Sequence, residues 1–270
     1  MSASYHSGSG SPLVLLHGAT GSWRMWEPTL HRLSQRHEVF ALTMIGHRGG
    51  APLGIDPHLI TATTFVDDVE RQLDALGLDT AHLVGNSLGG RVGLELLRRG
   101  RARSVTVFSP AAAQTSPADG QRLESMFRQM LGFSRLPGLR WLTRRSAAAR
   151  RVLSRRAMER GDLMTVSQVD ALFDDLRVAR PWVLALVRNS LREGNLAAIE
   201  RRSVPVCIAW GSHDRVIPFH AHGAPLAGLV PGAQFVRLPG CGHVPVWDDT
   251  DRVVELILDT AARADATNRG

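Results

Sequence analysis

The apolar positions of the first 110 residues alternate between two patterns. Runs rich in apolar residues, Pro12 to Leu16, Glu38 to Met44, Ala81 to Val84 and Ser104 to Phe108, suit strands of a parallel sheet buried on both faces. Between them the apolar residues recur with helical spacing. Trp23, Trp26, Leu30 and Leu33 fall on one face of a helix that Ser22 can cap, and Phe65, Val69, Leu73 and Leu76 line another that stops at Gly77. A third spans Leu88 to Arg99. Strand and helix in alternation predict an α/β fold, a mostly parallel doubly wound sheet with helices on both faces.

From Ala111 to about Arg202 the strand pattern disappears, and helical segments carry Met126, Met130, Phe133, Trp141, Met164 and Trp182. Alternation resumes with a strand over Val204 to Trp210, a helix near Pro218 to Leu229, the strand Gln234 to Leu238 and a last helix over Asp248 to Ala264. The chain therefore divides into a core, 1–110 with 203–270, and an all-helical insertion, 111–202, between two of the core's strands.

Composition narrows the class without choosing a function. At 270 residues and 44% hydrophobic content the chain can bury a sizeable core, which excludes a disulfide-stapled miniature, a coiled coil or a disordered chain. No apolar run approaches the ~20 residues of a membrane span. The polar start, without a basic then apolar order, and only two cysteines, Cys207 and Cys241, suit a reduced, cytoplasmic setting. All 32 basic residues are arginine, against 25 acids. Nine of them lie between Arg135 and Arg160 with the single acid Glu159. Such a stretch reads as a solvated helix face, or as a patch that meets an anionic surface or an acidic carrier protein. Without aromatic interleaving or a recognition motif it does not point to nucleic acid.

Chemistry enters at Gly85-Asn86-Ser87-Leu88-Gly89, a Gly-x-Ser-x-Gly pentapeptide lying where a strand ends and a helix begins. A sharp turn there forces the serine into a strained, exposed backbone position, and a Cβ at either glycine would strike the neighbouring strand or helix. A serine hydroxyl needs a base. Of eleven histidines, His243 in Gly240-Cys-Gly-His-Val-Pro follows the last strand, at the same sheet edge as Ser87. The base in turn needs an acid to fix its tautomer, and Asp214 follows the strand ending at Trp210. His220 and His222 lack a third ligand at useful spacing and read as surface residues.

With Ser87, Asp214 and His243 in that chain order, the sequence resembles the α/β-hydrolase superfamily over nearly its whole length. His17-Gly18-Ala19 is similar to the family's His-Gly turn, which implies an oxyanion hole made by the backbone N–H groups of Ala19 and Leu88. The insertion occupies the place of the family's cap, and the resemblance implies that Met126, Met130, Phe133, Trp141, Met164 and Val244 contribute to an apolar acyl pocket. No cofactor and no metal are implied. Two departures stand out. Only eleven residues precede Pro12, so the family's N-terminal hairpin must be shortened or absent, and its Pro-Gly-His-Gly turn reads Ile45-Gly46-His47-Arg48-Gly49.

Dehalogenases and epoxide hydrolases of this fold use aspartate at the elbow, so serine points instead to acyl transfer. The expected substrate is a small molecule, a carboxylic ester with a small-to-medium apolar acyl group. Three alternatives remain: a carbon–carbon bond hydrolase of diketo acids, favoured if Arg91 points into the pocket; a thioesterase; and a non-catalytic ligand-binding member of the fold.

Overall fold

The computed structural model describes residues 4–114, 116–200 and 203–267. Met1 to Ala3 and the expected cap edge at Arg202 lie outside them. Among the described residues seven strands form one sheet: β1 (Tyr5–Ser7), β2 (Pro12–Leu16), β3 (Glu38–Leu42), β4 (Ala81–Asn86), β5 (Ala102–Phe108), β6 (Val206–Gly211) and β7 (Gln234–Leu238). Their order is β1-β3-β2-β4-β5-β6-β7. Every pair is parallel except β1 with β3, and among the described residues the three-residue β1 is the one antiparallel strand in the place of the expected N-terminal hairpin.

Side chains of successive strand residues take opposite faces, and both faces are apolar. Val14, Leu16, Phe40 and Leu42 enter one core with α2 (Ala62–Ala75), α3 (Leu88–Arg98) and α9 (Phe219–Leu229). Leu13, Leu15, Val39 and Ala41 enter the other with α1 (Glu27–Ser34) and α10 (Thr250–Thr267). The unbroken apolar runs Pro12–Leu16 and Val39–Leu42 follow from this two-sided burial. Cys207 and Cys241 are free thiols, both buried in the second core.

Between β5 and β6 the chain forms α4 (Pro117–Phe133), α5 (Leu139–Arg145), α6 (Ala147–Ser154), α7 (Val166–Ala179) and α8 (Val183–Glu193), with no strand among the described residues. The first core extends into this insertion through Leu131, Leu176, Trp182, Val183 and Leu186. No helix among the described residues is long and apolar enough to cross a membrane.

Two local expectations fail for tertiary reasons. The segment after Ser22 starts as a 3₁₀ turn, Trp23–Trp26, and Ser22 makes no side-chain cap bond. Its buried hydroxyl instead donates to Asp175 Oδ2 in α7, 2.8 Å away. His222 is not a surface residue: it is 3% exposed, its Nδ1 lies 2.9 Å from the Ala113 carbonyl, and burial lowers its pKa. His220 is exposed, as expected.

Candidate active site

The order of strand addition reverses between the parallel neighbours β2 and β4: β3 lies beyond β2 on one side, β5 to β7 beyond β4 on the other. In such sheets the crevice outside the carboxyl ends of the strands gathers ligands and chemistry. Here it receives the His17-Gly18 turn after β2, Ser87 after β4, Asp214 after β6 and His243 after β7.

Ser87 has φ 55° and ψ −114°, a left-handed conformation that costs a non-glycine residue roughly 1–3 kcal/mol. Its surroundings hold it there. A Cβ on Gly85 would come within 2.2 Å of the Gly89 carbonyl oxygen, and one on Gly89 within 2.3 Å of that of Leu16. Helix and strand backbones therefore approach more closely than any side chain permits. The Gly89 N–H donates to the His17 carbonyl at 3.1 Å, tying the elbow to the neighbouring turn.

The second half of the site is a buried pair. His243 Nδ1 lies 2.9 Å from Asp214 Oδ2, and the other carboxylate oxygen accepts the Val216 and Ile217 amides at 2.9 Å each. Burial alone would raise the Asp214 pKa; the His243 charge and hydrogen bond, with the Ile217 amide, outweigh it and hold the carboxyl below its usual value. Facing a carboxylate, Nδ1 carries the proton, which leaves the Nε2 lone pair free.

Asn86 joins the two halves. Its side-chain amide donates to the His243 carbonyl at 2.8 Å and to the Phe108 carbonyl at 3.0 Å, so the residue before Ser87 grips the backbone of the histidine. Among the described residues the Ser87 hydroxyl itself makes no hydrogen bond. In resting sites the nucleophile–base contact is often long and tightens only around substrate.

A Cβ built on Gly18 would sit 3.5 Å from Ser87 Cβ, which places the His-Gly turn against the serine. Neither the Ala19 nor the Leu88 N–H donates a hydrogen bond among the described residues, and both flank this spot. His17 braces the turn. Its Nε2 accepts the Met44 amide at 3.1 Å, so Nδ1 holds the proton and donates to the Gly18 carbonyl at 2.8 Å. Burial, then the neighbouring His47, keeps it neutral. His47 packs edge-on to His17, with Nε2 3.1 Å from the Ala19 carbonyl, and burial pushes its pKa down to about 4.

Side chains that local sequence patterns do not reveal tie the insertion to the core loops. Asp248 takes the amides of Gly242, Glu159 and Arg160 at 2.7–2.8 Å, stapling the His243 loop to the insertion. Asp175 accepts from Arg48 Nε at 2.5 Å as well as from Ser22, and Trp182 Nε1 donates to the Gly46 carbonyl at 3.0 Å. No spacing rule finds these, because all but the Gly242–Asp248 bond join segments far apart in the chain.

The expected pocket residues disperse. Met126 and Met130 pack half-buried on the first core. Met164 is buried with Met158 and Val169 in a small cluster that Val244 joins, next to His243. Phe133 and Trp141 are 56% and 59% exposed, so neither lines a buried pocket as expected. Helical spacing reports that a face is apolar, not what covers it. Arg91 is buried, with Nη1 on the carbonyls of Ala112 and Gly194 and Nε 3.4 Å from Glu95, so it clasps the two ends of the insertion rather than entering a pocket.

The model of the alpha/beta hydrolase family matches residues 13–256. The chain belongs to that family. An epoxide hydrolase of Mycobacterium tuberculosis, EphH, is 33% identical over 203 residues, covering 73% of this hydrolase and 94% of that protein. Among solved structures, a thermophilic esterase from Thermogutta terrifontis aligns over 97% of this chain and 93% of its own with a TM-score of 0.71 at 22% identity. The 2-hydroxy-6-oxo-6-phenylhexa-2,4-dienoate hydrolase of a Rhodococcus strain aligns over 95% and 93% with a TM-score of 0.73 at 19% identity. At these identities the two structural likenesses are of fold.

Proposed function

We propose that this hydrolase cleaves carboxylic esters of small-to-medium apolar acyl groups through an acyl-enzyme on Ser87. The supporting observation is the strained Ser87 elbow beside a buried His243–Asp214 pair whose Nε2 lone pair is free. His243 takes the hydroxyl proton as Ser87 Oγ attacks the ester carbonyl, and Asp214 stabilises the imidazolium that forms. The Ala19 and Leu88 amides receive the oxyanion, each such donor being worth about 10²–10³ in rate. The imidazolium then protonates the leaving alcohol. Water, deprotonated by the same imidazole, attacks the acyl-enzyme and releases the acid. Leu88, Val216, Ile217 and Val244 each adjoin a reacting residue or the Asp214 loop, which favours an apolar acyl group.

The name of the M. tuberculosis relative does not transfer its reaction. Epoxide opening by a serine hydroxyl would form an ether, which no water in this site could release, whereas a carboxylate nucleophile forms an ester that can be hydrolysed. Diketo-acid cleavage loses its expected carboxylate partner, because Arg91 is committed to carbonyls and Glu95.

A panel of p-nitrophenyl esters of rising chain length, run beside an epoxide, a diketo acid and an acyl thioester, tests the proposal. Turnover should be greatest on a short or medium ester. A flat response to all esters, or faster turnover of another class, would overturn it.

A further inference from the structure

The exposed surface of the insertion carries an unusual combination. Eight of the eleven large apolar side chains exposed among the described residues lie within 133–166, with Val152 at 72% the most open. α6 has no buried residue at all. Trp141, on α5, shares a groove of about 580 Å³ with Val166, Arg140, Arg144 and Arg145. The same stretch exposes Arg135, Arg145, Arg151, Arg155 and Arg156. Arg140 turns to Asp170 and Asp174, and Arg144 to Asp170. Arg135, Arg145 and Arg151 have no ion pair among the described residues, and the Arg145 guanidinium lies 5.0 Å above the Trp141 ring.

Soluble domains normally scatter exposed apolar side chains singly. Their concentration beside unneutralised guanidinium groups, on short helices with a tryptophan, is the composition of a segment that lies in a bilayer interface. We propose that the α5–α6 face of the insertion is a peripheral docking surface for an anionic lipid bilayer. Headgroup phosphates take the arginines, while Trp141, Leu142, Val152 and Leu153 enter the acyl boundary. An acidic carrier protein would satisfy the arginines but leave the apolar side chains wet. A second copy of this chain would set two arginine-rich faces against each other. The proposal rests on surface composition and stands independently of the chemistry at Ser87.

Cosedimentation of the full chain with vesicles of phosphatidylcholine, alone or mixed with phosphatidylglycerol, tests it. The protein should partition onto the mixed vesicles and not the neutral ones. Partitioning should fall at least ~10-fold in a Leu142→Ser/Val152→Ser variant and in an Arg145→Ser/Arg151→Ser variant. All four positions are exposed, so both variants should keep the wild-type melting temperature, which is measured alongside. Absent partitioning, equal partitioning on both vesicle types, or variants that bind like wild type would overturn the proposal. So would a sedimenting dimer that the Leu142→Ser/Val152→Ser change dissociates, or saturation of this face by an acidic carrier protein where vesicles fail to bind.

Discussion

Replacing Asp214 by Asn preserves the shape of the side chain and removes its charge. The Val216 and Ile217 amides, 2.9 Å from Oδ1, would keep the Asn oxygen and turn its NH₂ group toward His243. Nδ1 of the imidazole must then accept a hydrogen bond, which moves the proton to Nε2, the nitrogen that must be empty to receive the Ser87 proton. The imidazolium formed during attack also loses the carboxylate now 2.9 Å from its ring nitrogen. Opposite charges with centres about 4 Å apart attract by about 4 kcal/mol at an effective dielectric constant near 20, or about three powers of ten in rate. With the wrong tautomer added, kcat on a p-nitrophenyl ester should fall about 10³- to 10⁴-fold. The loss should persist across the pH profile, because no pH restores both the charge and the tautomer. The melting temperature should move little, since the Val216, Ile217 and His243 hydrogen bonds of the carboxylate each have a counterpart in the amide. Turnover within about tenfold of wild type, in a folded variant, would refute the role given to Asp214.

Other perturbations test the framework around the site. Gly89→Ala places a Cβ about 2.3 Å from the Leu16 carbonyl and should destabilise the fold by about 3 kcal/mol, read from the denaturant midpoint; an unchanged midpoint would contradict the close approach of α3 to β2. Asp175→Ala removes the buried acceptor of both Ser22 and Arg48 and should cost about 3 kcal/mol, with earlier proteolytic cleavage inside 116–200; wild-type resistance would show that this contact does not hold the insertion down. Acid should also destabilise the protein. Burial holds His47 and His82 at pKa values of about 4, below the 6.5 of an unfolded chain. As pH falls from 6.5 toward 4 the unfolded chain takes up protons that the fold refuses, so stability drops by about 1.4 kcal/mol per unit for each histidine. Denaturant midpoints between neutral pH and pH 5 should reveal this fall, and it should shrink in His82→Asn; a flat midpoint would contradict it.

Much of this architecture can be read directly from the chain. Runs such as Pro12–Leu16 are apolar at every position because both faces of the sheet are covered, and that signal is local. The elbow is equally local: Gly85 and Gly89 mark the close approach that leaves Ser87 strained. The meeting of Asp214 and His243 is legible because each follows a strand at the sheet edge that also holds Ser87. What escapes is decided by partners distant in sequence. Ser22 has the residue type of a helix cap, yet its hydroxyl is claimed by Asp175, 153 positions away. His222 is buried against the Ala113 carbonyl. Phe133 follows Met126 and Met130 at helical spacing on α4, but only the methionines find a core to cover them, and Trp141 on α5 is likewise left exposed. Asp248, one acid among many in the sequence, takes three amides because two loops meet at it.

The account depends most on Ser87 being an activated nucleophile. Treatment of the folded protein with a fluorophosphonate, followed by peptide mass spectrometry, tests this directly. One phosphonyl group should appear on Ser87, at a rate that falls by orders of magnitude in His243→Gln and to nothing in Ser87→Ala. A folded wild-type protein that stays unlabelled, or is labelled at another residue, would contradict it.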